Sequence, residues 1–262
     1  MDNIKNKNVL ITGAASGLGY TYAQRMLENG AKTVAILDLS TSPGAASAAN
    51  LEKQFGKGKA TFHPCDVTNT QQFEDTFKKA VSALNGVDIV INNAGMLNEK
   101  KWEQMIRLNV GGVIHGSLLA MDAMGKHKGR KGGILVNIAS IVSLKIYPVF
   151  PAYCSSKHDV LAYSRGLQSS YEKTGVQVLV MCPGVTTTSL FDEMEAATPD
   201  FIDLEELRTT MKNLPSQTVE NVGTAMVGLI QKGGNGAVWV SEAGEQPYAV
   251  EFPPFKKVNL KL

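Results

Sequence analysis

The chain has 262 residues, 44% hydrophobic and 19% charged, enough apolar material to bury one large core and too few charges for a disordered polymer. Its formal charge of +2 is too small to imply a nucleic-acid groove, and the single dense basic cluster, Lys126 to Lys131, is short and broken by Gly129, so it reads as a solvated loop. No apolar run approaches the ~20 residues of a membrane span, and the three cysteines and four histidines match neither a paired disulfide framework nor a metal-ligand spacing.

The N-terminal segment leaves no room for a signal peptide, and the ending Asn259-Leu260-Lys261-Leu262 is not a peroxisomal address. These features predict a cytoplasmic protein with no metal, no nucleic-acid partner and no membrane span.

In chain order, the first apolar run, 8–12, passes into Gly13-Ala14-Ala15-Ser16-Gly17-Leu18-Gly19 and then a helical pattern over 18–28. Gly13 can make the tight turn and Gly17 lets the backbone approach a pyrophosphate. Gly19 permits close helix packing, and the helix N-terminus supplies free N–H groups to phosphate oxygens. The second run, 33–38, ends in Asp38, about twenty residues beyond the last glycine. A carboxylate there accepts bonds from both ribose hydroxyls and repels a 2′-phosphate, and neither Ser16 nor Leu39 offers a cation, so NAD is expected over NADP.

After a helix over 45–55, the run 60–65 leads to Asp66 and Val67, suited to an adenine amino group and ring face. A helix over 71–84 follows. The fourth run, 88–92, ends in Asn92-Asn93-Ala94-Gly95, and the long helix 102–124 carries Asn109 at its middle, where it could kink the helix and anchor a water linking Lys157 to solvent.

The fifth run, 133–140, ends at Ser140, and the helix 152–171 carries Tyr153 and Lys157 on one face at i and i+4. A phenol beside an ammonium and an oxidised nicotinamide should lose its proton about three pH units more easily, making Tyr153 a general base on an alcohol and a general acid in reverse. Ser140 would hold the substrate oxygen, and Lys157 should also reach the nicotinamide ribose.

The sixth run, 177–182, is followed by Pro183-Gly184-Val185. A weakly patterned excursion over about 188–215 could cap a pocket as one or two short helices. A helix over 219–231 and a seventh run, 237–241, precede an extended tail over 243–262 rich in proline and aromatics. Strands alternating with helices, several of them continuous apolar runs such as 134–138 and 176–181, predict an α/β fold. It is a doubly wound, seven-stranded parallel sheet, Rossmann-like, in a single domain spanning 1–262.

Pocket walls are expected from Ile141, Val142, Leu144, Tyr147, Phe150, Cys182, Val185, Leu190, Phe191 and Met194. They are mostly apolar, so a lipophilic secondary alcohol or ketone (terpenoid, steroid, fatty or prostaglandin-like) is expected over a sugar. The alternatives are an NADP-dependent carbonyl reductase and a catalytically silent NAD-binding scaffold of the same fold.

Taken together, Thr12-Gly13-x-x-x-Gly17-x-Gly19, Asn92-Asn93-Ala94-Gly95, Asn109, Ser140, Tyr153 with Lys157, and Pro183-Gly184 with Thr188 resemble the short-chain dehydrogenase/reductase family from Asn8 to about Glu242. The resemblance implies that Asn109, Ser140, Tyr153 and Lys157 form the catalytic group and that Val185 and Thr188 contact the nicotinamide carboxamide. It also implies a homodimer or homotetramer joined through the helices that hold Asn109 and Tyr153. Within the family, the run 98–103 and the segment 153–158 are similar to the NAD-linked hydroxyprostaglandin dehydrogenase branch, and Gly236-Ala237-Val238-Trp239 to the insect-type alcohol dehydrogenase branch. The former branch carries a glutamine three residues before the catalytic tyrosine, where this chain has Phe150, which cannot make the same hydrogen bond.

Overall fold

The computed structural model describes residues 3–253. Its seven apolar runs form strands β1 (Asn8–Thr12), β2 (Thr33–Asp38), β3 (Ala60–Pro64), β4 (Ile89–Asn92), β5 (Gly133–Ile138), β6 (Val176–Pro183) and β7 (Val238–Ser241). All seven pair in parallel, β1 with β2 in the register Leu10↔Ala35 and with β4 in the register Leu10↔Val90.

An eighth strand, β8 (Tyr248–Ala249), corrects the expected count, pairing antiparallel with β7 through Val240↔Tyr248. Ala243 and Gly244, both at positive φ, reverse the chain, and the Glu245 N–H donates to the Glu242 carbonyl at 3.0 Å. Two residues beside Pro247 are too few for a periodic signal, so only an extended tail was legible there. The part of that expected tail beyond residue 253 lies outside the described residues.

The helices are α1 (Gly17–Glu28), α2 (Gly44–Phe55), α3 (Thr70–Ala83), α4 (Trp102–Ile106), α5 (Val113–Met124), α6 (Pro151–Leu167), α7 (Tyr171–Thr174), α8 (Leu204–Asn213) and α9 (Val219–Lys232). Between α4 and α5 a π-helical turn, Arg107–Gly112, keeps 102–124 one continuous helical run with a local irregularity around Asn109. The excursion contains a 3-10 turn, Ser189–Phe191, and α8.

Side chains alternate along each strand, so the sheet buries both faces. Val9, Ile11, Ile36 and Ile91 pack with Tyr22 and Met26 of α1 and Met226 and Leu229 of α9. Leu10, Leu37 and Val90 turn the other way, onto Phe73 and Phe77 of α3 and Met121 of α5. Fully burying each such side chain contributes roughly 1.5–3 kcal/mol relative to exposure.

A buried polar bridge that the sequence reading missed crosses the second layer. Asn92 Nδ2 donates to Asn137 Oδ1 at 2.9 Å, Asn137 Nδ2 to Ser164 Oγ at 2.9 Å, and Ser164 Oγ to the Val160 carbonyl at 2.7 Å. It ties β4 and β5 to α6, because buried polar groups must find partners or forfeit their desolvation energy.

The strand order is β3-β2-β1-β4-β5-β6-β7-β8, so the winding reverses between β1 and β4. Chains leave neighbouring strands in opposite directions at such a point, opening a crevice at the carboxyl ends of the strands.

Candidate active site

The glycine turn sits in that crevice. Gly13 and Gly17 have φ of +65° and +54°, a left-handed conformation that a side chain disfavours, and the Gly13 N–H donates to the Leu37 carbonyl at 2.7 Å. Gly19 is required for a different reason. A Cβ there would collide with the Gly13 carbonyl oxygen and lie 2.6 Å from Asn93 Nδ2.

Asn93 and Thr12 brace the turn against the end of β4. Asn93 Nδ2 donates to the Thr12 and Gly13 carbonyls at 3.1 and 2.8 Å, and Thr12 Oγ1 accepts from the N–H groups of Asn93 and Ala94 at 3.1 and 3.2 Å. Asp38 braces it on the other side, with Oδ2 accepting from the Ala15 N–H and Oδ1 from the Leu39 N–H, both at 2.8 Å. The carboxylate is thus oriented by the backbone and stays half-buried at the rim. Asp66 does not cap α3. It takes the N–H and hydroxyl of Thr68 at 2.9 and 2.7 Å, and Asn69 caps the helix.

One cavity of about 720 Å³ runs along this edge. The glycine turn (Gly13, Ser16, Gly17, Leu18, Gly19), Asp38, Asp66 and Val67 line one part. Asn93, Ala94, Gly95, Ser140, Tyr153, Lys157, Pro183, Gly184, Val185 and Thr188 line the rest, and Ile141, Tyr147, Phe150, Leu190 and Phe191 extend it.

Three expected wall residues are elsewhere. Leu144 packs against a core cluster that contains the fully buried Cys182, and Met194 packs under the excursion against the cluster holding Leu207. Gln104 of α4, Met211 of α8 and Leu214 take wall positions that the sequence reading did not assign, as do Asn98, Asp192 and Glu193. The wall is therefore more polar than expected. Gln104 carried no signal, since a polar residue on a helix reads first as solvated.

Ser140 caps a 3-10 turn, Ile141–Ser143, its Oγ accepting from the Val142 N–H at 3.3 Å and donating to the Pro183 carbonyl at 3.4 Å. Its side chain faces the Tyr153 hydroxyl and favours the phenolate. Lys157 is buried, its Nζ donating to the Ile138 carbonyl at 3.0 Å and lying 5.8 Å from the Tyr153 ring centroid.

The expected acidification of the phenol is not what the chain alone produces. Burial pushes Tyr153 well above the ordinary phenol value and outweighs the opposing bond from Ser140. Burial also lowers the Lys157 ammonium, to about 8, so the neighbouring cation is itself weakened. The adjacent Cys182 thiol is pushed up to about 12 by the same desolvation, which leaves it inert.

Asn109 sits within the π turn. Its Oδ1 accepts from the Met96 N–H at 2.9 Å, and its Nδ2 donates to the Met96 carbonyl at 2.9 Å and to Ser156 Oγ at 3.1 Å. The side-chain amide is engaged with protein, and Asn109 lies behind the residues that line the cavity. It fastens the π turn to the loop after β4 instead, and such turns occur often at functional sites.

A family model described as short chain dehydrogenase matches residues 7–199. The chain belongs to the short chain dehydrogenase family. This short chain dehydrogenase is 35% identical to the 15-hydroxyprostaglandin dehydrogenase [NAD(+)] of Rattus norvegicus, over 97% of this chain and 99% of that one. It is 29% identical to alcohol dehydrogenase 1 of Ceratitis cosyra, over 92% and 94% of the two chains.

Two crystal structures share the fold. Levodione reductase has a TM-score of 0.79 at 22% identity, covering 92% of this chain and 98% of its own. A short chain dehydrogenase/reductase of Burkholderia phymatum in complex with NAD has a TM-score of 0.75 at 23% identity, covering 88% and 87%. The family expected from the motifs, the α/β fold and the dehydrogenase class stand, and the expected cofactor, NAD, is the one named for the Rattus norvegicus relative and bound in the Burkholderia phymatum structure.

Proposed function

We propose that this short chain dehydrogenase transfers a hydride between NAD and a lipophilic secondary alcohol or its ketone, of terpenoid, steroid, fatty or prostaglandin-like type. The observation that carries the reading is the Ser140–Tyr153 hydroxyl pair with buried Lys157 beside it, on one wall of the cavity that also holds the glycine turn and Asp38.

NAD, when bound, accepts or supplies the hydride. Gly13, Ser16, Gly17, Leu18 and Gly19 hold its pyrophosphate, Asp38 its adenosine ribose, and Asp66 and Val67 its adenine. Asn93, Ala94 and Gly95 border the nicotinamide half, Pro183, Gly184, Val185 and Thr188 orient the carboxamide, and Lys157 holds the ribose. Ser140 holds the substrate oxygen and Tyr153 moves its proton, while Asn109 supports the group through the π turn. Because burial opposes the phenolate, Tyr153 would depend on the positive charge that an oxidised nicotinamide brings when bound. Ile141, Tyr147, Phe150, Leu190 and Phe191 receive the apolar body of the substrate.

The excursion acts as a cap on the same unit, its ends joined by the bond from the Thr187 N–H to the Gln217 carbonyl at 3.0 Å, and its interior by Arg208 on Glu195 at 2.7 Å. Trp102 and Leu118, 54% and 52% exposed on α4 and α5, support a homodimer or homotetramer joined through those helices and α6. Three free, buried thiols suit the cytoplasm, and one sheet running through the described residues suits a single domain.

The reading is tested by following absorbance of reduced cofactor with a panel of secondary alcohols and either NAD or NADP. Turnover with NAD on apolar secondary alcohols is expected, and a preference for NADP or for sugars would sink it. Asp38→Ala should lower kcat/KM for NAD by about 10–100-fold, the worth of a charge-assisted pair of hydrogen bonds, while that for NADP falls less.

The pH dependence has a definite sign. A raised phenol pKa keeps Tyr153 protonated at neutral pH, so alcohol oxidation, which needs the base, gains with rising pH, by about tenfold per unit while the group remains protonated. Ketone reduction, which needs the acid, gains nothing. Profiles of kcat/KM in both directions from pH 6 to 9 check this, and an oxidation rate that falls with pH would contradict it.

A further inference from the structure

We propose that Glu99 is a positioning residue for Tyr153, holding the start of the helix that carries it; the proposal rests on the functional reading above. An α-helix leaves its first N–H groups without intrahelical partners, and they are ordinarily satisfied by a side chain at the residue before the first turn. In α6 that residue is Phe150, which has no capping group. The first helical residue, Pro151, has no N–H to satisfy. The next two N–H groups, of Ala152 and Tyr153, go to the two oxygens of one carboxylate: Glu99 Oε2 takes Ala152 at 3.0 Å and Oε1 takes Tyr153 at 2.8 Å. From Cys154 onward the ladder is internal, its N–H donating to the Phe150 carbonyl at 2.8 Å. The donors that open α6 are thus taken by a side chain 54 residues earlier in the chain, and one of them is the backbone N–H of Tyr153 itself.

Glu99 is 5% exposed. A buried carboxylate is retained where its charge is matched, and here it meets two N–H groups and the positive end of a helix of 17 residues. The loop that carries it is itself fixed. Asn98 Oδ1 accepts from the Lys101 N–H at 2.9 Å. The Lys100 N–H and Nζ donate to the Ala197 and Ala196 carbonyls at 3.0 and 2.8 Å. The loop after β4 therefore joins the excursion to the first turn of α6, with Leu97 and Asn98 on the cavity wall beside the joint. Cutting the Glu99 link frees the turn bearing Tyr153 while leaving the glycine turn and Asp38 as they are. It should accordingly lower the chemical step rather than cofactor affinity, since small misplacements of a reacting group cost rate steeply.

The test compares full-length wild type, Glu99→Ala and Glu99→Gln for melting temperature, affinity for reduced cofactor by fluorescence, and kcat, KM and pH profile on the secondary alcohol that wild type turns over best. In Glu99→Ala, kcat should fall about 30–100-fold with cofactor affinity within about threefold of wild type. The alkaline rise should move along the pH axis, and Glu99→Gln, which keeps one acceptor oxygen, should recover kcat only part-way, to about three- to tenfold below wild type. A lowered melting temperature with kcat and pH profile unchanged would overturn the proposal and leave Glu99 a stabilising cap only. Should Glu99→Ala fail to fold, Glu99→Gln decides: wild-type kcat overturns the role, and a reduced kcat at unchanged cofactor affinity supports it. A wild type with no NAD-linked turnover sinks the dehydrogenase reading and this role together, whereas an active wild type equalled by both variants sinks the role alone.

Discussion

Tyr153→Phe should bind reduced cofactor as wild type does and turn over secondary alcohols about 10³-fold more slowly, within the 10²–10⁴ range by which a placed acid–base group accelerates proton transfer. The substitution removes one oxygen and keeps the ring, which is 7% exposed and packed among Val149, Phe150 and Cys154, so the fold should not notice it. Ser140 loses the hydroxyl it faces, but its oxygen keeps the Val142 N–H and the Pro183 carbonyl. Steady-state rates together with cofactor fluorescence separate the two effects. A variant with more than a tenth of wild-type kcat would end the assignment of Tyr153 as the proton carrier.

Gly19→Ala should damage the nucleotide half as severely. The added methyl has nowhere to go: one neighbour is the Gly13 carbonyl oxygen, another is Asn93 Nδ2, and a third is Ala14 Cα at 2.8 Å. Two of the three belong to the backbone of the glycine turn and cannot rotate away, so α1 or the turn must shift. Overpacking of this kind costs about 1–3 kcal/mol of stability. The affinity for reduced cofactor should fall by about 100-fold or more, or roughly 2.7 kcal/mol, because the N–H groups at the start of α1 move with the turn. Urea unfolding and cofactor titration measure both quantities. A variant that binds cofactor as wild type does would show that the turn tolerates displacement.

The frame of the fold was legible because it is written in local periodicity. The runs at 8–12 and 33–38 are strands with those bounds, and the glycines, Asp38, Ser140, Tyr153 and Lys157 each stand at the end of a strand or on the first turns of a helix, where topology alone brings them to one edge. What escaped is non-local. Glu99 meets α6 and Asn137 meets Ser164 across long stretches of chain, and no spacing announces such pairs. Leu144, Cys182 and Met194 were misplaced because the same apolar pattern suits a residue facing the pocket and one facing the core, and these three face the core. The pull of burial against the Tyr153 phenolate was not legible, because it acts on the phenol and on Lys157 together: the desolvation that raises one weakens the other.

The turn that carries β8 back along β7 has a consequence for the molecule's behaviour in concentrated solution. An outermost strand offers a row of unsatisfied donors and acceptors, an invitation for any passing chain to add itself. The Val250 N–H already occupies the Val238 carbonyl at 2.9 Å, and Ala249 and Tyr248 lie opposite Trp239 and Val240. With only two described residues, β8 is a poor template for a stranger to lengthen, which disfavours fibrous growth from that end of the sheet.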